Sequence, residues 1–176
     1  MRWMWIDRVV ELVPREKLVA VKQISMAEDH LHDHFEPNSV RRAVPIMPAS
    51  LIVEGMAQTA GVLVGHAEGF REKVVLAKVS KAELELDARP GDTIRYTATI
   101  DRFTHAGAST RGQIELFSWT ADGLSEPQVL GRVDLIFSHL DNNMGGQTFP
   151  EHNFVFSETF ATLLSLSGVE SYPVPG

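Results

Sequence analysis

The chain has no cysteine in its 176 residues. That excludes a disulfide framework, a thiol nucleophile and every cysteine-based zinc or iron–sulfur site. Positive charge is scarce as well: 16 Lys and Arg stand against 23 Asp and Glu, for a formal net charge of −7. Neutralising phosphates takes a basic face, so no nucleic-acid partner is expected. Long hydrophobic runs are missing too. The least polar stretch, 43–64, is broken by Pro45, Pro48, Glu54 and Gln58, and predicts no membrane insertion. Residues 1–8 lack the apolar run of a signal peptide, which makes a cytoplasmic setting the expectation. There is no internal repeat and no low-complexity segment.

What remains is enough apolar residue, 44% of the chain, for one domain with a core. Residues 93–100 alternate strictly, with Ile94, Tyr96, Ala98 and Ile100 on one face and Thr93, Arg95, Thr97 and Thr99 on the other. Period two is the mark of a strand with one wet face. The turn signal Arg89-Pro90-Gly91-Asp92 precedes it. Residues 18–24, 74–86, 112–119 and 129–139 read as further strands, rich in β-branched residues or alternating.

Residues 50–66 are the exception. Their apolar side chains cover nearly every azimuth, which predicts a buried helix, with Ser50 as its N-terminal cap. On that helix Glu54, Gln58 and Gly61 fall at i, i+4 and i+7 and share one face. Gly55, Gly61 and Gly65 weaken a helix and predict close approach of a neighbouring backbone or a ligand. The expected class is α+β: a curved antiparallel sheet wrapped around a central buried helix. This body is expected over 1–140. Residues 141–176 then form a turn-rich linker and an apolar extension, with a short helix over 157–166, docked on the body or on a neighbouring subunit.

Two segments carry chemistry. One is His30-Leu31-His32-Asp33-His34-Phe35; the other runs Pro45-Ile46-Met47-Pro48-Ala49-Ser50 into the helix with Glu54, Met56, Ala57 and Gln58. Together they resemble the signature of the bacterial β-hydroxyacyl-acyl carrier protein dehydratases: a His-Phe-Pro-Gly stretch, then Pro-Val-Met-Pro-Gly, then a helix with Glu-Ala-Met-Ala-Gln. The opening 6–14, the strand 76–82 and the turn 89–92 extend the resemblance, which covers about residues 4 to 139.

The resemblance implies a hot-dog homodimer, in some cases a trimer of dimers, with His34 and Glu54 meeting across the dimer interface. It implies dehydration of (3R)-hydroxyacyl-acyl carrier protein to the trans-2-enoyl form, with no cofactor. The residue types suit that reaction. A histidine near neutrality is a fitting base for the C2 proton. A carboxyl on an apolar helix is expected to be desolvated and to favour its protonated, donor form, so Glu54 supplies the departing hydroxyl with its proton. Gln58, one turn on, is expected to hold that carboxyl, with Phe35 in support of His34. The N–H of Ala49, opening the helix, is the expected donor to the thioester oxygen.

The sequence departs from the pattern in places. Ala49 stands at a family Gly, and Asp33 and Glu36 replace the Gly and Pro flanking the His-Phe pair. His34 and Glu54 are 20 positions apart, about six more than in the pattern, with the extra residues in the loop 36–44. Related dehydratase-isomerases carry Asp at the position of Glu54 and Cys at that of Ser50, so no isomerisation is expected. Arg41 and Arg42 in that loop are candidate contacts for an acidic carrier protein, with Lys78, Lys81 and Arg89 behind them. On a strand His30, His32 and His34 would share a face as metal ligands do; no other ligand cluster accompanies them, so no metal is expected. Two other functions fit a hot-dog chain: an acyl thioesterase, and a silent acyl-binding subunit. His34-Phe35 argues against the first, and retention of both His34 and Glu54 against the second.

Overall fold

A computed structural model describes residues 4–32, 37–40, 42–140 and 158–169. Its elements run β1 (Arg8–Val13), β2 (Lys17–Gln23), α1 (Asp29–His32), α2 (Ala49–Ala67), β3 (Val74–Leu84), β4 (Thr93–Thr104) and β5 (Gly107–Phe117), then β6 (Trp119–Thr120), β7 (Gly123–Leu124), β8 (Gln128–His139) and α3 (Glu158–Leu166). Six strands form one antiparallel sheet in the order β1-β2-β4-β5-β8-β3, and β6 and β7 form a small separate ribbon. The sheet is bent by bulges where β3 meets β8 and where β4 meets β5. The helix α2 packs in its concave face against β2, β3, β4, β5 and β8. This is the hot-dog fold.

The alternation in β4 does what period two requires: Ile94, Tyr96 and Ala98 are fully buried and face α2, while Thr93, Arg95 and Thr97 stay half-exposed. Ala98 pairs with Gly112, and Gly112 with Val133, placing three small or β-branched residues side by side under the helix. Gly112 has no room for a side chain, because a Cβ there would overlap the Met56 sulfur and the Val133 carbonyl. Met56 in turn is fully buried.

Several expectations need correction. The strand expected over 112–119 begins at Gly107, because the tight turn after Thr104 starts the pairing with β4 at once; Trp119 belongs to the ribbon beyond it. Ser50 does not cap α2. Pro48 does, with φ −57° and ψ 135°, and its carbonyl accepts from Leu51 N–H at 2.9 Å and Ile52 N–H at 3.2 Å; no side chain caps this end. The segment holding His30 and His32 is helical, as α1, and not a strand.

The two edges of the sheet differ. On β1, Val9 N–H donates to Ser167 Oγ at 3.0 Å, and α3 packs there with Leu163 and Leu164 buried. β3 is exposed through most of its length, including Leu76 at 40% and Val79 at 41%. An apolar open edge of this kind invites strand pairing.

Candidate functional site

The site is organised by α2. Its first two N–H groups, on Ala49 and Ser50, have no carbonyl one turn back to bind, and no side chain among the described residues takes them. Ala49 is exposed, and its N–H opens the positive end of a 19-residue helix. A cleft of about 560 Å³ lies against this end, lined by Met47, Pro48, Ala49, Ile52, Leu84 and Leu86 among others. A helix N-terminus at an apolar cleft is suited to holding a carbonyl oxygen that gains negative charge.

One turn further in, Gln58 Nε2 donates to Glu54 Oε1 at 2.9 Å. The other end of the same amide is also fixed, since Trp5 N–H donates to Gln58 Oε1 at 2.8 Å in a buried contact. Gln58 is 9% exposed, whereas Glu54 is exposed on the single chain. The desolvation expected of Glu54 is therefore not supplied by its own chain. The reason is local: Ser50, Val53 and Glu54 lie on the one stripe of the N-terminal half of α2 that the sheet does not cover.

The close approach expected at Gly55 forms here, and Tyr96, Lys22, Asp7 and Glu28 gather near it as residues that sequence reasoning did not single out for the site. Gly55 lets two groups approach α2: a Cβ at that position would collide with the Tyr96 hydroxyl and lie 2.9 Å from the Trp5 carbonyl oxygen. Burial, and secondarily the charge of Asp7, holds the Tyr96 phenol well above its ordinary range, so it stays neutral and cannot serve as a charged base. Lys22, on β2, is buried, with Nζ 2.6 Å from Glu28 Oε1 and 3.2 Å from Asp7 Oδ1. Asp7 Oδ2 also accepts from Gln23 N–H at 2.7 Å. Glu28 Oε2 lies 3.5 Å from His30 Nε2, and the His30 ring meets Trp5 edge-on at 5.1 Å between centroids. This cluster ties the start of the chain to β2 and α1.

His34, Phe35 and Arg41 lie outside the described residues. Arg42 is exposed and has no ion-pair partner among the described residues. Lys78 is exposed on β3, while Lys81 pairs with Glu83 at 2.9 Å and Arg89 with Asp87 at 3.6 Å. No helix among the described residues is long and apolar enough to cross a membrane.

A helix with an open N-terminus and a clamped carboxyl, cupped by a six-stranded antiparallel sheet, defines a hot-dog protein with a cleft at the helix start. Comparison with known proteins narrows this. Residues 2–119 match the model of the FabA-like domain, and the chain belongs to that family. It is 36% identical over 98 residues to the 3-hydroxyacyl-[acyl-carrier-protein] dehydratase FabZ of Ligilactobacillus salivarius, covering 55% of this chain and 66% of that protein, just under two thirds. With the FabZ of Alkalilimnicola ehrlichii it shares 32% over 124 residues, covering 68% of this chain and 74% of the relative. Among solved structures, the dehydratase heterocomplex ApeI:P from Xenorhabdus doucetiae superposes with a TM-score of 0.57 at 15% identity, covering 78% of this chain and 83% of that one, which speaks to the fold alone.

Proposed function

We propose that the protein dehydrates (3R)-hydroxyacyl thioesters carried on acyl carrier protein to trans-2-enoyl thioesters. The observation that carries this reading is the Glu54–Gln58 clamp beside the open N-terminus of α2, in a chain of the FabA-like family. In this reading the His34 imidazole removes a C2 proton, and the charge passes to the thioester oxygen, held by Ala49 N–H. The C3–O bond then breaks as Glu54 gives its proton to the hydroxyl, and water leaves. Elimination needs a base at C2 and an acid at the C3 hydroxyl, and no cofactor enters this scheme.

The open β3 edge supports a dimer. Pairing of β3 with its copy would continue the sheet and cover the exposed stripe of α2, supplying the desolvation that a neutral, proton-donating Glu54 requires. His34 of the second copy then completes the site. An exposed Arg42 suits an acidic carrier, and we assign the same role to Arg41.

The test is the product. Native protein given a 3-hydroxyacyl carrier substrate is expected to generate the enoyl-thioester absorbance with no free thiol and no 3-enoyl isomer. Thiol release without enoyl product would replace the reading with thioester hydrolysis. Neither product, across several chain lengths, would leave a silent acyl-binding subunit.

A further inference from the structure

A main-chain N–H can only donate. The Gln58 atom 2.8 Å from Trp5 N–H is therefore the amide oxygen, and the end 2.9 Å from Glu54 Oε1 is the NH₂ group. An NH₂ group also only donates, so Glu54 Oε1 accepts, and because a carbonyl oxygen accepts far better than a carboxylic hydroxyl, the bond favours a proton on Oε2. We propose that the main-chain N–H of Trp5, acting through the Gln58 amide, is a positioning group that keeps the acid proton of Glu54 on Oε2, where it is free to pass to the substrate. This rests on the reading of Glu54 as the acid.

The alternative orientation shows what the lock prevents. With the amide turned over, Gln58 Oε1 would face Glu54 and accept the carboxylic proton, sequestering it from the departing hydroxyl. Turning it over breaks the buried bond to Trp5 and sets N–H against NH₂, and stranding a buried donor disfavours that state by roughly 5- to 150-fold. The approach that makes the lock possible is built in. Gly55 leaves space for the Trp5 carbonyl against α2, and the Trp5 side chain, 8% exposed, is held edge-on by His30.

The position needs an N–H, not an indole, and this separates positioning from packing. Trp5→Pro removes the donor; Trp5→Phe keeps it. Trp5→Pro is expected to lower kcat about 10-fold with KM within about twofold, since each tenfold corresponds to about 1.4 kcal/mol of lost preference. Trp5→Phe is expected to stay within about threefold. The deciding readout is the cycle with Gln58→Met: once the amide is gone, Trp5→Pro should cost nothing further. Effects of Trp5→Pro and Gln58→Met that multiply, or a Trp5→Pro protein as fast as native, would overturn the proposal. If Trp5→Pro does not fold, the exchange measurement on native protein decides. An independent arm follows the Gln58 side-chain NH₂ by NMR, which should be protected from exchange in native protein and unprotected in Trp5→Pro. An unprotected NH₂ in native protein would also overturn the proposal. Native protein that makes no enoyl product would sink the functional reading instead, and the NMR arm would still decide this one.

Discussion

Glu54→Gln is expected to slow enoyl formation by on the order of 10²- to 10⁴-fold, the range a positioned general acid supplies, with little change in KM. The substitution is nearly isosteric and keeps an oxygen for Gln58 Nε2 to bind, so the fold and the clamp should survive while the transferable proton is lost. His34→Ala should fall in the same range, for loss of the base. Because the two residues act as one unit, a proton taken at C2 and a proton given at C3 of the same substrate, the double variant should be scarcely slower than either single one. Rates measured on protein shown by circular dichroism to be folded check this. A Glu54→Gln protein retaining more than a tenth of native activity would remove Glu54 from the chemistry.

Lys22→Met is expected to lower folding stability by about 2–3 kcal/mol. The ammonium is 8% exposed and lies between two carboxylates, Glu28 at 2.6 Å and Asp7 at 3.2 Å. Methionine keeps the stem and its packing but leaves both carboxylates facing an apolar gap. The full cost of stripping a buried pair, about 3–5 kcal/mol, is discounted because the Asp7 side chain is 41% and that of Glu28 22% exposed to screening water. Adding Glu28→Gln should recover part of the loss by removing one stranded charge. Denaturant midpoints read the effect, and a loss below about 0.5 kcal/mol would class the cluster with ordinary surface pairs. The cluster is near the site without being in it, so kcat per folded molecule should change far less than stability.

How much of this was legible in the sequence depends on range. Period two in 93–100 needs only local sterics and one buried face, and β4 follows it residue by residue. Glu54 and Gln58 are one helical turn apart, so their contact follows from helix geometry once 50–66 reads as helix. The other half of the clamp does not. Trp5 and Gln58 are 53 positions apart, and no periodicity links a main-chain donor to a side chain at that distance. The Lys22 cluster was hidden for a different reason, since a lysine in a β-branched strand reads as a wet-face residue until Asp7 and Glu28 are seen to close over it.

Two misreadings share a cause in neglected context. Ser50 looks like a cap by residue type, but Pro48 already ends the extended backbone and its carbonyl starts the helix. The apolar residues of 50–66 cover nearly every azimuth and most of α2 is buried, yet the desolvation expected of Glu54 is missing, because the stripe with Ser50, Val53 and Glu54 is open on the single chain. Apolar pattern reports burial in the final assembly, and one chain supplies only part of it. The same holds for β3, whose Leu76 and Val79 make sense for a strand that gains a neighbour.

The claim that one site is built from α2 of one copy and His34 of another is tested most directly by mixing two inactive proteins. His34→Ala and Glu54→Gln subunits, refolded together in equal amounts, should form mixed dimers in about half of all cases, each with one site carrying both native residues. The account predicts that enoyl formation returns to about a quarter of the native rate, while either variant refolded alone stays silent. A mixture as inactive as its components would contradict it.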